Sequence, residues 1–513
     1  MTTWRKVLLW RTKMNKFENL FHKTIQVLWV SSLSIVLLLI LFSESIRYAC
    51  KTDFCLSVFV LALLGIVGIS IISFITNRIE GRIKFSSPAI IGLVFSFFQI
   101  FLLKHYFFSS GWDVAHVIYA ARCFAQDNPA ITSYFYSYPN NLLLSYIFSL
   151  ILKLGYFLGF SDYVAYFMLL VFQAGLSYIA GLLTFYTSYK LTGSRGISMA
   201  IYIVYLLLIC ISPWVSVPYS DSMGLIFPIA IIALYCSEPK HNLLSGAKWL
   251  SIGMLSYIGY MIKPTIFIVL IAIAIIEMST ISSFSGRKTV LKKLVLVMLG
   301  ILLAIIPVKL AFSEHDYVLR EELRLGPMHF LAMGMNEKQM GIYSLDDVIF
   351  SESFETRKER DSADWELAKE RIGDMGPVGL IKQFGRKLLT TFNDGSFMWA
   401  REGDFFRDIV EKTDPVSRFI RSFYYPDGSR FKLFLTFEHA VWLSVLCCSL
   451  LAALSLRSRK SSVIMLALLG FILYSMLFEV RARYIYIFAP LFLVLAGIGL
   501  SSIKNLLAVA KGR

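Results

Sequence analysis

Three acidic residues sit where a greasy chain has little reason to place them. Asp113 lies in GWDVAH, with His116 one turn further on. Asp221 lies in SVPYSDSMG, and Glu479 opens EVRARY, which also holds Arg481, Arg483 and Tyr484. Lys263 in MIKPTIF and the stretch Tyr138, Pro139, Asn140, Asn141 complete the set. A carboxylate such as Asp113 can serve as a general base toward a hydroxyl, and the same residue type caps helix N-termini. Ser-Asp-Ser around Asp221 also suits a turn. Arg481 and Arg483 offer rigid forks of donors that match phosphate, or an Arg–Glu pair that staples helix ends. Lys263 either snorkels to the surface or adds another positive charge for a phosphate. Tyr138 and the two amides either hold sugar hydroxyls or cap the helix that follows. His116 packs, or assists Asp113.

The elements that position these groups follow from composition. The chain has 513 residues, 57% of them hydrophobic, with mean hydropathy +0.66. Charged residues make up 16%, against about 25% in soluble domains. Apolar runs near the ~20 residues that cross a bilayer recur throughout. Backbone groups in lipid must be satisfied internally, so these runs are helices, not the short alternating strands of a barrel. The fold class is all-α and polytopic. The net charge of +16 does not indicate nucleic acid, because Lys and Arg gather in short segments between apolar runs, as in cytoplasmic loops. The basic N-terminal stretch is too long for a signal peptide and leads into a retained span. The seven cysteines have no metal spacing; Cys50 and Cys55 share a loop where a disulfide is conceivable.

Charge fixes a topology. Six Lys/Arg residues precede the first apolar run, which places the N-terminus in the cytoplasm. Spans follow near 24–46, 56–76 and 86–104, with Arg78, Arg82 and Lys84 inside. Asp113 and His116 then face the exterior. Residues 139–158 and 162–189 are both apolar enough to cross. If both did, Lys190, Arg195, Arg287, Lys288, Lys292, Lys293, Arg457, Arg459 and Lys460 would all lie outside. Only one therefore crosses, and 112–127 and 139–158 become helices on the outer face. Further spans near 197–213, 219–237, 249–262, 264–281, 291–312, 435–456, 461–478 and 483–503 bring the count to about twelve. Residues 313–434 hold 22 of the 34 acidic residues and form a mostly helical extracytoplasmic insert. The chain divides into 1–85 (cytoplasmic segment and two extra spans), 86–312 (core, with a first external loop at 105–161), 313–434 (insert) and 435–513 (three spans). Asp113, Asp221 and Glu479 fall at external span ends. The other acidic residues outside the insert sit mostly at cytoplasmic or helix-end positions, where a solvated charge is ordinary.

At these residues the sequence resembles the GT-C superfamily of integral-membrane glycosyltransferases, on its protein O-mannosyltransferase-like side. It is similar to the bacterial enzymes that use polyprenyl-phosphate sugars. The resemblance runs from about residue 86 to 503 through GWD, YPNN, YSD, IKPT and E-x-R-x-R-Y. It implies inverting transfer of a sugar from a lipid-phosphate donor to an extracytoplasmic glycan or glycolipid. By that likeness Asp113 is the base, and Arg481, Arg483, Lys263 and Tyr484 hold the donor phosphate. His116, Tyr138, Asn140, Asn141 and Asp221 face sugar or acceptor. The first loop has a lone Asp where many relatives carry an acidic pair, so no metal ligand set is assigned, and no cofactor is indicated. The partners are the donor, membrane lipid and the acceptor, at a multi-pass cell-membrane site on the outer face. A lipid-linked oligosaccharide flippase or polymer ligase, and a non-enzymatic envelope protein, are the competing readings.

Overall fold

An apolar segment enters lipid only if its backbone hydrogen bonds close within the segment, and in the computed structural model the long apolar runs are helices. It describes residues 16–239, 241–279, 284–313, 322–410, 412–455 and 458–510. Residues 1–15, with most of the N-terminal basic cluster, and Arg457 lie outside the described residues. Among the described residues nine stretches are long and apolar enough to cross a membrane. They are Glu18–Leu41, Val58–Arg78, Ser87–Tyr106, Pro139–Phe157, Asp162–Thr192, Gly286–Phe312, Phe431–Leu454, Arg459–Leu477 and Ala482–Ala510. Shorter apolar helices, Arg195–Cys210, Ser220–Cys236 and Pro264–Ser279, pack among them. Two-residue strands, Phe108–Ser109 and Asp408–Ile409, pair antiparallel. The protein is an all-α polytopic membrane protein.

The two ends of the bundle differ chemically. At one end Glu80 accepts from Ser194 Oγ (2.8 Å) and the Gly196 N–H (3.2 Å). Lys460 pairs with Glu238 (2.6 Å) and Arg459 with Glu18. These segments are the ones that charge counting assigns to the cytoplasm. At the opposite end the segments after Tyr106, before Ile226, after Ile262 and after Leu477 come together and bring Asp113, Asp221, Lys263 and Arg481 to one place.

The Leu142–Phe157 helix is tied at both ends to segments around the Trp112–Ala125 helix. With its lead-in it is long enough to cross. Yet Asn141 at its start donates to the Tyr134 and Tyr219 hydroxyls. At its other end the Tyr156 hydroxyl donates to Asp162 (2.6 Å). Asp162 also takes a two-pronged Arg122 contact (3.0 and 2.8 Å) from the end of the Trp112–Ala125 helix. Phe107, just past the Ser87–Tyr106 helix, packs on Tyr163. Both helix ends thus stay at the Asp113 end of the bundle.

The first span is bonded to the last part of the chain. Trp29 Nε1 donates to Ser449 O (3.0 Å) and His22 bonds Ser462 (2.8 Å). All seven cysteines, including Cys50 and Cys55, are free thiols. A correction concerns acids outside the insert. Glu438, Glu277 and Glu18 are buried rather than solvated. Glu277 pairs with Lys293 and accepts from Tyr235. Among the described residues, neither oxygen of Glu438 has a hydrogen-bond partner.

The insert is helical and docks on the site end. Its longest helix, Arg357–Phe392, starts with a capping box at Thr356 and Glu359 and breaks at Gly376 (φ 58°), just before Pro377. Proline cannot donate to the preceding turn. The buried Lys387 ammonium donates to Gly334 O (2.9 Å) and Met476 O (2.8 Å). The Glu479 and Val480 N–H groups donate to Phe330 O and Gly341 O, each at 3.0 Å. The insert is therefore hydrogen-bonded to the segment that carries Glu479 and Arg481.

Candidate active site

The GWD loop is held by the returning part of the insert. The Gly111 N–H donates to Asp404 O (2.8 Å), and Ser110 Oγ donates to Phe405 O (2.7 Å). A Cβ on Gly111 would collide with Asp404, so the close approach requires glycine. Trp112 opens the following helix at φ 37°, and Phe397, Met398, Ala400 and Asp404 across from it also have positive φ. Such non-glycine residues in the left-handed region mark strain that the surrounding packing sustains.

Asp113, in the first turn of that helix, accepts from the Tyr219 hydroxyl (2.9 Å) and, among the described residues, not from its own helix backbone. Burial raises its carboxyl above the usual range, opposed by Arg483 and the Tyr219 bond. A base must be ionised to act. The acid limb of the pH–activity profile is therefore expected above the ~3.9 of a free Asp. A profile flat down to pH 4 would remove Asp113 from that role.

An aromatic and amide wall extends from this pair. Tyr219 meets the Tyr134 hydroxyl (3.4 Å), and Asn141 Nδ2 donates to Tyr134 (2.5 Å) and Tyr219 (3.3 Å). Asn140 reaches Asn141 (3.5 Å), and the Tyr138 ring lies 5.0 Å from that of Tyr134. His116 stacks flat on Tyr134, ring centroids 4.8 Å apart, and bonds Thr132 (3.0 Å). Burial lowers its pKa, which keeps the ring neutral at pH 7. Its hydrogen bond goes to Thr132, not to Asp113.

Beside this wall lies a cluster of charges. Asp221 is fully buried; one oxygen accepts from Lys263 and the other from Arg483 Nη1 (2.7 Å). Arg483 Nε donates to Glu402 (2.8 Å). Its guanidinium also lies over the rings of Trp112 (4.7 Å), Tyr219 (5.3 Å) and Tyr484 (5.1 Å), a favourable cation–π setting. Lys263 sits over Tyr484 (4.5 Å), whose hydroxyl donates to Glu479 (3.1 Å). Arg481 is different. Its nearest carboxylates, Glu402 and Glu479, are 3.9 and 3.8 Å away. Among the described residues its fork makes no hydrogen bond, although the side chain is only 12% exposed. Burial raises the Glu479 carboxyl.

Every residue picked from the sequence thus meets in one region, with two adjustments. Asp221 is in a short helix, Ser220–Gly224, rather than a turn, and both its oxygens are already engaged by cations instead of open to a sugar. Asn140 touches the network only through Asn141. Sequence reasoning missed Glu402, Tyr219, Tyr134 and Trp112. Glu402 lies within FMWAREGDFF, where aromatic content signals packing but nothing separates one acid from the other 21 of the insert. Among the described residues, no group of three or more His, Cys, Asp or Glu is arranged to hold a metal ion.

Two solved structures align over most of the chain. One is the archaeal oligosaccharyltransferase AglB from Archaeoglobus fulgidus, in complex with an inhibitory peptide and a dolichol-phosphate. It shares 14% identity and a TM-score of 0.42, over 82% of this chain and 51% of that one. This chain thus spans about half the length of that relative. The other is ArnT from Cupriavidus metallidurans bound to undecaprenyl phosphate, at 13% identity and a TM-score of 0.32, over 83% of this chain and 78% of that one. No curated protein matches the sequence significantly. A family model described as a conserved hypothetical integral membrane protein matches residues 15–504, and the chain belongs to that family.

Proposed function

We propose that this protein is a membrane glycosyltransferase that moves a sugar from a polyprenyl-phosphate donor to an extracytoplasmic cell-wall polysaccharide, teichoic acid or glycolipid. One observation carries the reading. The buried carboxylate of Asp113 shares one end of the helix bundle, through Tyr219, Arg483 and Glu402, with Arg481, whose fork makes no hydrogen bond among the described residues. A lipid phosphate would lie at this level while its chain stays in the bilayer. The basic loops at the opposite end favour an outward-facing site. Residues 86–312 form the core in this reading, with the 313–434 insert closing over it.

In the reaction Asp113 takes the proton of the acceptor hydroxyl. The freed oxygen attacks the anomeric carbon and inverts it, and the lipid phosphate leaves with the electrons of the broken bond. Arg481 meets the charge that grows on that phosphate, where preorganised donors act most strongly. Lys263 and Arg483 add positive potential, and Tyr484 orients Glu479 beside Arg481. Asp221 and Glu402 hold Lys263 and Arg483 in place. Tyr138, Asn140, Asn141 and His116 form the wall against which sugar and acceptor rest.

A flippase or ligase reading asks for a cationic cavity reachable from both sides. Here Arg481, which makes no hydrogen bond among the described residues, and the carboxylates gather at one end, and the other end is tied by Glu80, Ser194, Lys460 and Glu238. Arg481→Ala is expected to raise KM for the lipid-phosphate donor at least roughly tenfold, the loss of one charge-assisted bond pair. It should leave the unfolding temperature nearly unchanged, since its ion pairs are long. Steady-state transfer with varied donor checks this; an unaltered KM counts against the phosphate assignment.

A further inference from the structure

The amphipathic helix Pro415–Tyr424 lies against the end of the Ser87–Tyr106 helix and the start of the Phe431–Leu450 helix. Those are ends of two membrane-length helices, so this helix rides at the interface. It separates two depressions. One, of about 410 Å³, is apolar and lined by Leu102, Ile211, Phe419, Phe423, Leu433 and Phe437. The other, of about 370 Å³, is bordered by Lys412, Arg418 and Arg421, with Tyr425 and Asp427.

Among the described residues the cations form no ion pair in place. Lys412 donates to Lys104 O. Arg421 donates to His105 O (2.9 Å) and to Val410 O. These carbonyls include the open acceptors at a helix C-terminus, so the contacts cap a helix and bring no counter-charge of their own. Among the described residues, no carboxylate is within ion-pair distance of Lys412, Arg418 or Arg421. Arg418 is exposed, and Arg430 lies over the Phe419 and Phe423 rings (5.1 and 5.7 Å). Asp427 borders the basic pocket, and Asp414 caps the helix through Ser417. Lys104, Lys412, Arg418, Arg421 and Arg430 outnumber them.

We propose that this pair of depressions is a binding site for an anionic phospholipid. Its headgroup phosphate meets Lys412, Arg418 and Arg421, and an acyl chain lies along Leu102, Leu433 and Phe437. A basic pocket next to apolar surface at the interface selects net negative headgroups, whereas apolar contact alone takes any lipid. The site does not depend on the glycosyltransferase reading.

The test uses the purified full-length protein, presented with phosphatidylglycerol, phosphatidylcholine of the same chains, and undecaprenyl phosphate, with retained lipid read by native mass spectrometry. Phosphatidylglycerol is expected to be held in preference to phosphatidylcholine. The Lys412→Ala/Arg418→Ala double variant should weaken it at least roughly tenfold, and Arg47→Ala, an exposed control, should not. Melting curves matching wild type show that the double variant is folded; Arg418→Glu, a single surface change, gives the same reading if it is not. Equal retention of the two phospholipids, an unaltered preference in the folded variant, or undecaprenyl phosphate displacing phosphatidylglycerol from this pocket would overturn the proposal.

Discussion

Asp113→Asn is expected to cut sugar transfer by roughly 10²- to 10⁴-fold, the range that a general base contributes. Asparagine keeps the size of the side chain and an oxygen that accepts from Tyr219, so the wall of Tyr219, Tyr134 and Asn141 stays in place. What is lost is the proton acceptor. No neighbour takes over. The His116 ring is stacked on Tyr134 and bonded to Thr132, and Asp221 is already engaged by two cations. The effect should fall on kcat, with donor binding and thermal unfolding close to wild type. Transfer within threefold of wild type would remove Asp113 as the base.

The second large effect is on stability. Arg483→Met leaves Asp221 without one of its two cations and Glu402 without the nearer of the two arginines beside it, in a site where Arg483 and Asp221 are 8% and 0% exposed. Removing one partner of a buried ion pair costs about 3–5 kcal/mol, because the remaining charge stays buried and unpaired. The variant is expected to unfold at a clearly lower temperature in detergent. Arg481→Ala, two residues away, should not. The pair of variants separates the arginine that holds the site together from the one offered to a ligand. Equal melting of both variants would contradict this division.

Charge counting separated two sets of loops, and among the described residues Glu80, Ser194, Glu238 and Lys460 lie at one end of the bundle while Asp113, Asp221, Lys263 and Arg481 lie at the other; that the second end faces outward belongs to the proposal. The same logic singled out 139–158, a stretch of membrane-crossing length whose ends, at Asn141 and Tyr156, bond to Tyr134, Tyr219 and Asp162. The site residues Asp113, Asp221, Lys263 and the Arg481/Arg483 pair were visible as charges at span ends. Their pairing was not. Glu402 reaches Arg483 across 81 positions, and Tyr219 reaches Asp113 across 106. The first depends on how the insert folds back and the second on how the external ends of two core segments meet, and hydrophobic periodicity encodes neither. Glu438 escaped notice because a helix-end position is ordinarily wet, whereas here it is sealed under the insert beside Gly395.

The most direct test follows the leaving group. The purified protein in nanodiscs is given a panel of sugars carried on undecaprenyl phosphate, together with an envelope-glycan extract, and free undecaprenyl phosphate is measured by mass spectrometry. One lipid-linked sugar should release undecaprenyl phosphate with a matching gain of sugar in the glycan, and Asp113→Asn should release almost none. Equal release by both proteins, or sugar gain supported by nucleotide sugars alone, would contradict the assignment.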